Sequence, residues 1–163
     1  VPTITGVMQM AGKMAAARDV TYASSADAAE LSMEIAPAYP ASAGLVSWLR
    51  SVRLNRGRNV TIADRATLGR ASREVTLGLM TPCDVVEHSP GVLRLTCSAP
   101  KPAAGLPVVV FARFNPKLQA ATIERIDLDD PQLTRAWGGH LNRILLSARE
   151  QAEKIAWTLV LSK

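Results

Sequence analysis

The chain is poor in the residues that most site chemistry draws on. Its 163 residues hold two cysteines and two histidines. Two cysteines cannot build a disulfide-dense scaffold or a four-cysteine zinc site. Aromatic residues make up 4%. A nucleic-acid sheet reader interleaves aromatics with basic residues to stack bases, and this chain does not. No apolar run approaches the ~20 residues that span a bilayer. Glycine and proline, 10 each, fall without a period, which excludes collagen-like sequence. No Gly-x-Ser-x-Gly elbow, P-loop or dinucleotide fingerprint occurs.

What remains suits one globular domain over residues 1–163. Hydrophobic residues reach 48% and charged residues 20%, enough to bury a core. The net charge is +5, mostly from arginine. A basic domain of this kind is drawn to polyanions. The plainer reading is a solvated surface that aids solubility. Val1-Pro2-Thr3-Ile4 has neither a basic n-region nor an apolar h-region, so it is no signal peptide. The segment is expected to lie inside a longer protein.

Period-two alternation in short runs is the dominant pattern. Asp19 to Ser24 and Ala29 to Ala36 read as a hairpin, with Leu31, Met33 and Ile35 on one face. Leu45 to Asn55 is the clearest strand, with Trp48, Val52 and Leu54 inward. Arg50 shares that inward parity, which calls for a sheet end, a snorkelling stem or a bulge. Asn55 to Asn59 turns the chain, since Gly57 supplies a positive φ. Val60 to Arg65 returns, and Ala66 to Arg70 reads as another turn. Further strands are expected at Glu74 to Thr81, Asp84 to Glu87, Gly91 to Ser98, Pro107 to Phe114, Leu118 to Leu128, Leu141 to Ser147 and Ile155 to Leu161. Val108 to Phe111 suits a strand buried on both faces. Pro100, Pro102 and Gly105 read as a loop. Asp130 and Pro131 can open one helical turn that Gly138-Gly139 stops. Ala148 to Lys154 is a linking turn. Ala11 to Arg18 is the best short helix candidate. The expected fold is all-β: an antiparallel β-sandwich of about ten short strands.

Few residues stand out chemically. Cys83 and Cys97 flank a hairpin, so a disulfide is geometrically open, but buried free thiols are the preferred reading. His88 and His140 lack metal-ligand neighbours at a usable spacing and read as structural. Asp129-Asp130 reads as a helix cap. Arg50, Arg53, Arg56 and Arg58 place four cations in nine residues. The guanidinium fork suits carboxylate, sulfate or phosphate. Arg56 and Arg58 lie in the hairpin loop and are the candidate glycan-binding residues. The plainer reading is a charged loop that guards a sheet edge.

Three segments resemble a known family. Val1-Pro2-Thr3-Ile4-Thr5-Gly6-Val7-Met8-Gln9 is similar to a Val-Pro-x-Ile-Asn-Gly-x-x-Gln stretch. Ala36-Pro37-Ala38-Tyr39-Pro40 looks like an Ala-Tyr-Pro loop. Ser47-Trp48-Leu49-Arg50-Ser51-Val52-Arg53-Leu54 resembles the Trp-x-Arg-x-Val/Ile-x-Leu strand that follows it. Together they resemble the C-terminal β-sheet domain of heparinase II/III-like polysaccharide lyases. The likeness runs over the first 65 residues or so, and position 5 carries Thr in place of Asn.

The resemblance implies a C-terminal β-sandwich packed on an upstream α/α toroid of the same protein. It implies β-elimination on a uronic-acid polysaccharide, in a periplasmic or secreted setting. That reaction needs the uronate carboxylate neutralised, the C5 proton removed and the leaving oxygen protonated. The family's proton-transfer tyrosine lies in the toroid, and its histidines and acidic residue lie there and in the early sandwich strands, ahead of the stretch matched by Val1 to Gln9. None has a counterpart here. No catalytic residue, metal ligand or cofactor is therefore assigned, and the fragment alone is expected to be inactive. The alternative is a stand-alone β-sandwich module that binds acidic glycans. Nucleic acid is the least favoured partner.

Overall fold

The computed structural model describes residues 1–97 and 108–163. Among them, twelve strands run in chain order: β1 (Pro2–Ile4), β2 (Arg18–Ser24), β3 (Ala28–Glu34), β4 (Leu45–Asn55), β5 (Asn59–Ser72), β6 (Val75–Thr81), β7 (Asp84–Ser89), β8 (Val92–Cys97), β9 (Val108–Arg113), β10 (Gln119–Asp127), β11 (His140–Ala148) and β12 (Ala152–Ser162). One short helix, α1 (Pro131–Trp137), lies between β10 and β11. The strands form two antiparallel sheets, an all-β sandwich. The smaller has the order β1-β6-β11-β10 and the larger β2-β3-β4-β5-β12-β9-β8-β7.

Alternation builds the core. Ile4, Val75, Leu77, Ile144 and Leu146 come from the smaller sheet, each at most 3% exposed. Trp48, Leu93, Ala112, Trp157 and Leu159 meet them from the larger. Trp48 and Trp157 pack edge to face with ring centroids 6.4 Å apart, a favoured aromatic geometry.

A charge sits beside those two rings. Asp64 on β5 is 2% exposed and lies directly across from Arg50 on β4 and Trp157 on β12. Its carboxylate accepts from the Trp48 indole Nε1–H at 2.7 Å and from Arg50 Nε and Nη2 at 2.8 and 2.9 Å. The inward parity of Arg50 is thereby explained: it pairs with a buried carboxylate and uses neither a sheet end nor a bulge. Beside it, Glu34 Oε1 accepts from the backbone N–H groups of Ala36 and Trp48. The buried Tyr39 hydroxyl donates to the Pro2 carbonyl at 2.7 Å, tying the Ala-Tyr-Pro loop to β1.

The N-terminal stretch makes a tight return. Ile4 and Val7 exchange both backbone hydrogen bonds, and Thr5 and Gly6 have φ of 48° and 78°. Positive φ at both central residues defines a primed turn, where Asn-Gly is the favoured pair. This explains the Asn of the resembling stretch, and Thr5 carries the steric cost instead.

Several expectations are corrected. The expected all-β sandwich stands, with twelve strands among the described residues, but some of them are long runs of 11 to 14 residues. Ala66 to Arg70 is no turn. β5 runs straight through it because β4 pairs one side as far as Leu68 and β12 pairs the other as far as Ser72. β12 likewise begins at Ala152, inside the expected linking turn. Ala11 to Arg18 forms no helix: it carries no amphipathic stripe, and Met14 is 91% exposed. Val108 is also exposed, and β9 is fully buried only at Ala112. Cys83 and Cys97 form a disulfide. They flank the directly opposed pair Asp84 and Thr96, so their side chains meet on one face. The turn at Asn55 to Asn59, with Gly57 at φ 72°, and the Asp130 cap stand as expected. The Pro100, Pro102 and Gly105 loop lies outside the described residues.

Four outcomes follow. Asp64→Asn should lower unfolding stability by about 3–5 kcal/mol, because it strands the Arg50 charge. Arg50→Met combined with Asp64→Leu should recover part of that loss in urea denaturation, the remainder being about 1–3 kcal/mol for the Trp48 indole N–H left without an acceptor. Thr5→Asn should raise stability by roughly 1 kcal/mol by relieving the left-handed position. Burial pushes the Tyr39 hydroxyl up to about 12, with Arg50 opposing and Asp64 adding to the shift. A phenol whose folded pKa is raised contributes stability below its unfolded value near 10 and loses it as pH climbs through the folded one. Denaturant melts between pH 9 and 12 should therefore decline more steeply for the wild-type chain than for Tyr39→Phe.

Candidate functional site

Three surface features collect the chemistry. The first is the end of the β4–β5 hairpin. Asn55 Nδ2 donates to Asn59 Oδ1 at 2.7 Å and closes the loop. The Arg56 backbone N–H donates to the Asp27 carbonyl, which docks this loop on the β2–β3 turn. The two turns enclose a polar cleft of about 420 Å³ lined by Asp27, Arg53, Asn55, Arg56 and Arg58. Arg53 is committed to Glu30 at 2.8 Å. Hydrogen bonds from Ser51 and then Arg53 hold the Glu30 carboxyl below its usual range. Arg56 and Arg58 are exposed and make no ion pair among the described residues. The structure thus brings the two sequence-predicted residues together at one cleft and leaves their charge uncommitted.

The second is the inner face of the larger sheet. Four strands cannot cover eight. Tyr22, Leu31 and Leu54 carry the inward parity of β2, β3 and β4, yet they are 69%, 36% and 39% exposed. The bare face continues into a groove of about 450 Å³ lined by Leu54, Val60, Val110 and Leu161, with Arg58 and Lys163 at its edge. Exposed apolar area of this kind marks an interaction surface.

The third lies between α1 and the β7–β8 hairpin, a cleft of about 520 Å³. His140 Nε2 comes within 3.6 Å of Asp84 Oδ1 there. No spacing rule connects positions 84 and 140; only the packing of β7 near β11 does. His88 is elsewhere, edge-on to Phe111 with centroids 5.6 Å apart. Among the described residues, no three His, Cys, Asp or Glu side chains cluster as metal ligands. No helix among them is long and apolar enough to cross a membrane.

Against known proteins, no family model matches the chain, and no curated protein matches it by sequence. Solved structures do match. Heparan sulfate lyase HepC from Pedobacter heparinus superposes with a TM-score of 0.68 at 13% identity, and a mutant of that lyase gives the same figures. The match covers 99% of this chain and 23% of the lyase, so the chain spans about a quarter of that protein's length. The likeness shows the fold alone: this sandwich shares it with part of a heparan sulfate lyase.

Proposed function

We propose that this chain is the non-catalytic C-terminal β-sandwich of a heparinase II/III-like polysaccharide lyase, occupying residues 1–163 as one domain. The observation that carries the reading is the uncovered inner face of the eight-stranded sheet, together with a fold shared over nearly the whole chain with part of a larger lyase. An upstream helical domain of the same protein seats on Tyr22, Leu31 and Leu54, and burial of that face offsets the cost of exposing it.

The chemistry agrees with a supporting role. β-Elimination needs a base, an acid and a group that neutralises the uronate in one place. Tyr39 is buried against Pro2 with its proton held tightly. His88 packs on Phe111, and His140 faces Asp84. The disulfide fits the periplasm or a secreted protein, where such bonds persist.

The Arg56–Arg58 cleft favours a second reading, a stand-alone module for acidic glycans. The two readings separate on the natural gene product. A product far larger than 17.4 kDa, helical upstream and releasing unsaturated uronate ends from acidic polysaccharide, is expected. A natural product near 17.4 kDa overturns the lyase reading. For the cleft, replacing Arg56 and Arg58 together by Ala should weaken heparan sulfate binding by about tenfold per lost charged hydrogen bond and flatten its salt dependence. Unchanged affinity would reduce both residues to edge guards.

A further inference from the structure

We propose that the segment joining β1 to β2 holds one soft monovalent metal ion, Cu(I), on the thioethers of Met8, Met10 and Met14. The site is independent of the lyase reading. It shares no residue with the uncovered sheet face or with the Arg56–Arg58 cleft.

Methionine is concentrated in this segment. The chain has five, and three of them fall within the seven residues from Met8 to Met14. Those three are 62%, 44% and 91% exposed, and none joins the hydrophobic core. A methionine that only fills space is found buried against other apolar groups. Met33 is of that kind and packs on the core, while Met80 lies on β6 in the smaller sheet.

The backbone gathers the three. Val7 and Ala17 pack against the core at the two ends of the segment. Val7 is tied to Ile4 by two backbone hydrogen bonds, and the Met10 N–H donates to the Ala38 carbonyl at 2.9 Å. The chain is thereby fixed on both sides of Met8. Beyond Met10, Gly12 at φ 108° opens a turn in which the Ala15 N–H donates to the Gly12 carbonyl at 3.1 Å. A straight run would part the Cα atoms of Met10 and Met14 by about 13–14 Å. The turn shortens that span, and two unbranched, freely rotating thioether arms close the rest.

The donor set selects the metal. Thioethers are neutral and polarisable, and they suit Cu(I) over harder ions. From Val7 to Ala17 the sequence has no carboxylate, imidazole or thiol, and Lys13 is its single charge. Calcium, magnesium and zinc therefore find none of their usual ligands. Cys83 and Cys97 would outcompete thioethers as thiolates, but they are joined in the disulfide, and no cysteine is free among the described residues. Where disulfides persist, a thioether is the soft ligand that is not lost to disulfide formation.

Isotope labelling of the methionine methyl groups resolves the five residues by NMR. Silver(I) nitrate, a stable stand-in for Cu(I), should be titrated into the 163-residue chain. The Met8, Met10 and Met14 signals should shift together at micromolar concentration and saturate at one ion per chain, with Met33 and Met80 unmoved. Cu(I), supplied without oxygen as its acetonitrile complex, should shift the same three, and Zn(II) none. Met8→Leu, Met10→Leu and Met14→Leu each keep the volume and the apolar character. Each should leave the melting temperature unchanged and weaken Ag(I) at least about tenfold, no less than the loss of an outer partner of a metal ligand costs. Met80→Leu should bind as the wild-type chain does. No shift below millimolar Ag(I), equal shifts at Met80, more than one ion per chain, or full affinity in any of the three loop variants would each overturn the proposal.

Discussion

Asp64 is an anion with almost no access to water, placed at the centre of the larger sheet among β4, β5 and β12. Removing a carboxylate from water costs several kcal/mol, which only close, well-aimed partners offset. Here each oxygen is engaged: one by the Trp48 indole and Arg50 Nε, the other by Arg50 Nη2. The three groups must therefore arrive together. A one-residue slip of β4 against β5 would turn Arg50 and Trp48 to the outer face and leave the carboxylate alone. The register of the central hairpin rests on this constraint, and so does the placing of Arg56 and Arg58 at its tip.

The second determinant is a mismatch of area. A four-stranded sheet packed on an eight-stranded one cannot cover all of it, and it leaves bare the hairpin end of β2, β3 and β4 that carries Tyr22, Leu31 and Leu54, while Trp48 farther along β4 stays buried. The residues there still alternate as core residues do. Leu31 and Leu54 have the chemistry of an interior and the exposure of a surface, which is why the uncovered face bears directly on what this domain does.

Local chemistry was legible wherever it was decided locally. The alternation of Leu45 to Asn55, the Gly57 turn and the Asp130-Pro131 helix start are short-range events, and they fall where composition places them. Tertiary pairing overrode the rest. Gly69 suggested a turn, but β5 runs through it: the ladder to β4 reaches Leu68, the Gly69 N–H donates to the Gly44 carbonyl, and β12 pairs again at Ser72. An alanine-rich run suggested a helix without an apolar stripe to dock it. The partners of Arg50 and His140 lie 14 and 56 positions away, where spacing rules do not reach. The inward parity of Arg50 was the one visible sign, because a charge on an apolar face requires an opposite charge nearby.

The disulfide sits at one end of the eight-stranded sheet, on the outermost hairpin β7–β8. The opposite end is β2, whose seven residues are all exposed. The sheet therefore has a clasped edge and a loose one. Thermal opening enters from β2 and advances toward the Asp64 cluster, while the β7 side stays closed by a covalent bond. Such a polarity divides the domain into a half that can yield to a neighbour and a half that keeps its shape whatever binds.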